Sequence, residues 1–76
     1  MRNQKEQEQQ WINREMGKRL RSLRQQHGFS QQKVAAYLQI HQTTYSDYEL
    51  GKLNIPIAMV LQLADFYHLE KKDMFP

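Results

Sequence analysis

Residues Gly28 to Lys52 read GFSQQKVAAYLQIHQTTYSDYELGK, a pattern of two short helices joined by a three-residue turn. Ser30 is a favoured N-cap, because its hydroxyl accepts from a first-turn N–H that has no partner inside the helix. After it, Val34, Ala35 and Leu38 mark one face of a helix of about two turns. Gln39-Ile40-His41 breaks the period, and Tyr45 and Tyr48 resume it three residues apart. Gly51 stands where the left-handed residue after a helix end belongs. Helices this short are not stable singly, so they must pack across the turn. The outer side of the second is then left free. It carries Thr43, Ser46, Asp47 and Leu50, with Gln42 and Thr44 at the edges of its first turn. Short hydrogen-bonding side chains on an open helix face suit the base edges of a DNA major groove.

Outward from this stretch, the N-terminal side predicts one long helix. Trp11 and Ile12 begin a sustained pattern that Met16, Leu20 and Leu23 continue to His27, and Gly28 should end it in a left-handed cap with Phe29 folding back as the apolar contact. Gly17 lies inside, at a cost of about 1 kcal/mol relative to alanine. Either another backbone packs closely there or the cost is tolerated. Residues 1–10 form a polar extension in which Asn3 and Glu6 have the spacing of a capping box, and both a helical and a disordered state fit this composition. On the C-terminal side, Asn54 and Pro56 are start signals for a helix whose inner stripe is Ile57, Val60, Leu61, Ala64 and Tyr67. A short helical turn from Lys71 to Phe75 should return Leu69, Met74 and Phe75 to the core. Trp11 and Ile12 read as an extension of that core or as a dimer contact. No strand alternation or hairpin signal occurs, so the expected fold is all-α with five helices.

Composition narrows the function. The 76 residues make one domain, expected at 11–76 with the two-helix motif at about 31–50. There is no cysteine, which excludes disulfides and thiolate metal sites and suits a reducing cytosol. The longest apolar run, Ile57 to Leu61, falls far short of the roughly 20 residues of a membrane span, and the polar N-terminus shows no signal peptide. His27, His41 and His68 lack metal-ligand spacing, and nothing places Ser, His and Asp as a nucleophile, base and orienter. Neither metal, cofactor nor catalysis is expected. The formal charge is only +3, but Arg14, Lys18, Arg19, Arg21 and Arg24 face Glu15 alone among the acids of residues 14–24. That basic segment fits phosphate contacts or a solvated helix face.

The run from MGKRLRSLRQQHGFSQQKVAAYL through IHQTTYSDYELGK to LADFYHL resembles the phage-repressor-type, or xenobiotic-response-element-type, helix-turn-helix domain over about residues 16–75. The arginine-rich first helix, Gly28-x-Ser30-Gln31, Ala35 and Tyr48-Glu49-x-Gly51-Lys52 carry the resemblance together. It implies a compact five-helix, lambda-repressor-like fold with the helix-turn-helix at helices 2 and 3. By position, Gln42, Thr43, Ser46 and Asp47 match base-reading residues. Gln31 and Lys52 match residues that meet the DNA backbone, to which the residues themselves add His41 in the turn and Thr44. Arg24 and Glu49 match an internal salt bridge. Four residues depart from the family pattern: Gln39 replaces the turn glycine, Tyr45 a branched aliphatic, proline falls one position late, and Asp47 puts a negative charge on the DNA-facing side.

The implied function is sequence-specific binding of double-stranded DNA by a cytoplasmic, nucleoid-associated transcriptional repressor acting on an operator. A homodimer is expected, with its surface at Leu69 to Phe75 or at Trp11. The alternatives are an antitoxin, which adds a toxin as protein partner, and a protein-interaction module on the same fold.

Overall fold

A computed structural model describes residues 3–76 of the chain; Met1 and Arg2, part of the expected 1–10 extension, lie outside them. Among the described residues there are four α-helices and no strand: α1 Gln4–Gln26, α2 Gln31–Leu38, α3 Gln42–Glu49 and α4 Ile57–Phe66, followed by a 3-10 turn Lys71–Met74. At 1.5 Å per residue α1 is about 35 Å long, and it spans the long axis of a body measuring 39 × 26 × 20 Å. Asn3 caps it by accepting from the Glu6 N–H at 2.9 Å.

Each helix stops in the same way. The left-handed residues Gly28, Gln39, Gly51 and His68 follow α1, α2, α3 and α4. Beyond each, the next N–H reaches back five residues: Phe29 to Arg24, Ile40 to Ala35, Lys52 to Asp47 and Leu69 to Ala64, at 2.9–3.1 Å. These Schellman closures satisfy carbonyls that the helix leaves open. Gln39 and His68 adopt φ near +60° despite carrying a Cβ, a strain of about 1–2 kcal/mol each. Gln39 was expected from the missing glycine; His68 had no such signal.

α3 is the inner element. Tyr45 is fully buried and Tyr48 nearly so, against Leu20 and Leu23 of α1, Val34, Ala35 and Leu38 of α2, Leu63 and Ala64 of α4, and Met74 of the last turn. The crossing of α1 over α3 is set by Gly17. A Cβ there would stand 2.7 Å from the Tyr48 carbonyl oxygen and 2.8 Å from the Glu49 carbonyl carbon, with the Glu49 oxygen closer still. Of the two readings of Gly17, the close backbone approach is the one observed.

Several expectations need correction. The fifth helix is a single 3-10 turn, since only Lys71 to Met74 lie between the extended Glu70 and the extended Phe75, too few for a run of i→i−4 bonds. Within it Met74 is fully buried, but Phe75 is 44% exposed. The inner face of α4 is Val60, Leu63, Ala64 and Tyr67 rather than the stripe through Ile57 and Leu61. Ile55, just before the helix, is buried and fills the space, leaving Ile57 59% exposed. Trp11 and Ile12 are also exposed and do not extend the core. With Met16, Ile57, Val60 and Phe75 they line an open groove of about 640 Å³. Among the described residues no helix is long and apolar enough to cross a membrane.

Candidate nucleic-acid interface

Ser30 accepts from the Lys33 N–H at 3.0 Å and starts α2. Gln39 ends it in the left-handed region, the chain reverses through Ile40, and His41 is the N-cap of α3 without a side-chain cap bond. Because Tyr45, Tyr48 and Glu49 anchor α3 inward, its opposite side is turned out. Gln42, Thr43 and Leu50 are exposed, and Thr44, Ser46 and Asp47 are half-buried along the same ridge. His41 and Lys52 are exposed at its two ends. Lys52 is exposed and Asp47 half-buried, and neither side chain forms an ion pair among the described residues.

Behind this ridge lies a buried polar network. Arg24 grips both carboxylate oxygens of Glu49, Nε to Oε2 at 2.6 Å and Nη2 to Oε1 at 3.0 Å, and its Nη1 donates to the Phe29 carbonyl at 2.9 Å. The side chains of Arg24 and Glu49 are 14% and 3% exposed. The bidentate geometry is of the strong, charge-assisted kind. Burial pushes the Glu49 carboxyl up, but the hydrogen bond from Arg24, with those from other neighbours including Gln31, outweighs it and holds the group below its ordinary value. The Arg24 guanidinium is raised by its hydrogen bond to Glu49. Gln31 Nε2 donates to Glu49 Oε1 at 3.1 Å, and Gln42 Nε2 donates to Gln31 Oε1 at 3.4 Å. The ion pair is thereby linked to the first residue of α3.

Tyr45, in place of the branched aliphatic, carries its hydroxyl inward rather than to solvent. Its Oη, like that of Tyr67, is buried and meets no hydrogen-bond geometry among the described residues. Burial, with the Glu49 charge adding to it, raises the Tyr45 hydroxyl well above its ordinary pKa and pushes that of Tyr67 up to about 12.

The basic segment of α1 is mostly occupied inside the molecule. Arg24 serves Glu49, Arg19 donates from Nε and Nη2 to the Asp73 carbonyl at 3.0 and 2.7 Å, and Lys18 pairs with Glu15 at 3.0 Å. Arg14 packs its backbone against Gly51, where a Cβ would lie 2.9 Å from the Arg14 Cα. Arg21 is exposed and makes no such contact. The Arg19 clamp on the last turn had no signal in the sequence, because its acceptor is a main-chain oxygen. The Gln31–Gln42 link had a weak one: both are the first residue of their helices.

The comparisons with known proteins agree with this geometry. A helix-turn-helix family model matches residues 20–72. Among solved structures, the chain is similar to the restriction-modification controller protein C.AhdI from Aeromonas hydrophila, with a TM-score of 0.74 and 29% identity over 82% of this chain and 94% of that one. It is also similar to the BldD DNA-binding domain of S. venezulae, with a TM-score of 0.72 and 27% identity over 86% of this chain and 97% of that one. A second structure of the BldD DNA-binding domain gives the same TM-score and identity over 86% and 94%. No curated protein matches. With more than half its length under the family model and α2, α3 and their turn in place, the chain belongs to the phage-repressor type of helix-turn-helix family.

Proposed function

We propose that this protein is a sequence-specific regulator of transcription, a repressor that places α3 in the major groove of an operator and has no catalytic activity. The observation that carries this reading is the division of α3, with Tyr45, Tyr48 and Glu49 buried and the polar ridge from Gln42 to Asp47 turned out. Gln42 and Thr43 read base edges, and Ser46 and Asp47 extend the contact along the groove. The DNA backbone is met by the open N–H groups at the start of α2 around Gln31, and by His41, Thr44 and Lys52. A helix this short spans few base pairs. Two copies on half-sites one helical turn apart, about 34 Å, supply the rest of the specificity and call for a palindromic operator.

The pairing surface is the groove bearing Trp11, Ile12, Ile57 and Phe75, each 44–59% exposed. Met74, in the segment first expected to pair, is fully buried and belongs to the core. The same groove supports the second reading, an antitoxin whose toxin covers this face. Sedimentation of the isolated protein separates the two, since a dimer without any partner favours self-pairing.

DNA reading is tested by titrating Gln42→Ala and Lys52→Ala against selected and scrambled DNA at several salt concentrations. Lys52→Ala should weaken binding to both DNAs and lower the salt slope by about 0.9. Gln42→Ala should lose about 1–3 kcal/mol on the selected site only. Equal losses on both DNAs would refute the assignment of α3 and leave a protein-interaction module as the better account.

A further inference from the structure

Resting on the reading of α3 as the recognition helix, we infer that Asp47 and Leu50 together recognise 5-methylcytosine, so that methylation of the operator strengthens binding. Leu50 is the C-cap of α3 and ends its outward ridge. It is 56% exposed, a large apolar side chain on a face otherwise made of short polar groups. Its N–H still bonds to the Ser46 carbonyl at 3.0 Å, which keeps it in helical register with the residues before it. Side chains on a helix lean toward its N-terminus, and residues three apart on one face lie about 5–6 Å from each other. The isobutyl group of Leu50 therefore covers the turn that carries Asp47. The Asp47 main chain is pinned, since its carbonyl accepts from the Lys52 and Leu53 N–H groups at 2.9 and 3.4 Å. Its carboxylate forms no ion pair among the described residues.

An ionised carboxylate only accepts hydrogen bonds. It can take one from the N4 amine of cytosine, whereas the O4 of thymine opposes it as a second acceptor. An apolar side chain gains by contact with a methyl group at C5 of a pyrimidine. C4 and C5 are bonded neighbours in the ring, so the amine and the methyl stand side by side on the major-groove edge. An acceptor and an apolar group one turn apart match that pair. Cytosine lacks the methyl, thymine lacks the amine, and uracil lacks both. 5-Methylcytosine offers the two together.

The experiment first finds the operator position whose cytosine preference Asp47→Ala flattens. Cytosine, 5-methylcytosine, thymine or uracil is then placed there in one half-site of otherwise identical duplexes, at a single salt concentration. The full chain should bind 5-methylcytosine about fourfold more tightly than cytosine, and thymine about fourfold more tightly than uracil, as burial of one methyl group gives. Neither comparison changes the opposite base. Cytosine should exceed uracil by on the order of tenfold through the amine. Leu50→Ala, folded by circular dichroism, should bring both methyl ratios to about one and spare the amine ratio, and Asp47→Ala should do the reverse. Methyl ratios of one in the full chain would overturn the inference. So would ratios unchanged in Leu50→Ala, since methylation would then act through DNA shape. An operator with no position flattened by Asp47→Ala would also overturn it. The reading of α3 itself is judged separately, by Gln42→Ala on selected and scrambled DNA.

Discussion

Replacing Gly17 by alanine pits two opposed effects against each other. Alanine is the better helix former, and in an isolated helix the change should stabilise by about 1 kcal/mol. In the folded protein the new methyl group would sit 2.7 Å from the Tyr48 carbonyl oxygen and 2.8 Å from the Glu49 carbonyl carbon. Both are main-chain atoms of α3, so no side chain can swing aside and the crossing of α1 over α3 must open. Overpacking of a tight core typically costs about 1–3 kcal/mol, occasionally more, and rigid backbone on the receiving side puts this site at the upper end. The net expectation is a loss of roughly 2 kcal/mol, which for a domain of this size lowers the melting temperature by about 8–16 °C. Gly28→Ala is the control: a Cβ there meets nothing within 4 Å, and only the left-handed φ of +68° is strained, worth about 1 kcal/mol. Urea unfolding followed by circular dichroism measures both variants. A Gly17→Ala protein as stable as the parent, or less affected than Gly28→Ala, would refute the close approach of the two backbones.

Other outcomes follow from the same contacts. Arg24→Met leaves Glu49 buried and uncompensated and should cost about 3–5 kcal/mol; a loss under about 1 kcal/mol, the size of a surface pair, would reject the buried bridge. Since Glu49 in the folded chain lies below its ordinary value of 4.5, its contribution is complete above that value and fades as pH falls through the depressed one. Thermal melts from pH 6 to pH 2 should therefore show an acid limb that is shallower in Glu49→Gln. Gln39→Gly relieves a left-handed residue but loosens the unfolded chain, for a net gain of about 0.5–1 kcal/mol, and an unchanged urea midpoint would contradict the strain. Ile57→Asp places a charge in the groove proposed to pair two copies and should shift the proposed dimer to monomer in sedimentation with helical content unchanged; a parent chain that sediments as a monomer, or a dimer that persists in the variant, would remove this groove as the pairing surface.

Much of this architecture was legible in the chain itself, because it depends on neighbours in sequence. Ser30 capping α2, the left-handed Gly28 and the outward ridge of α3 are consequences of helical period and of local hydrogen bonding, whereas the left-handed Gln39 was signalled only by the resemblance to the family. Arg24 and Glu49, 25 residues apart, were matched only through the resemblance to the family, and their bidentate contact became visible only in the structure. The face of α4 was legible only in part: Val60, Ala64 and Tyr67 turn inward as expected, but Ile57 and Leu61 are as apolar as the buried Leu63, and the buried Ile55 takes the space before the helix. The basic segment of α1 stayed open between two readings for a related reason: charge is local, but whether Arg19 meets a phosphate or the Asp73 carbonyl depends on where the last turn folds back. Gly17 posed a question in the sequence that only the crossing of α1 and α3 answered. Periodicity and capping set the elements, and tertiary packing alone chose the partners, because partners distant in sequence leave no local pattern.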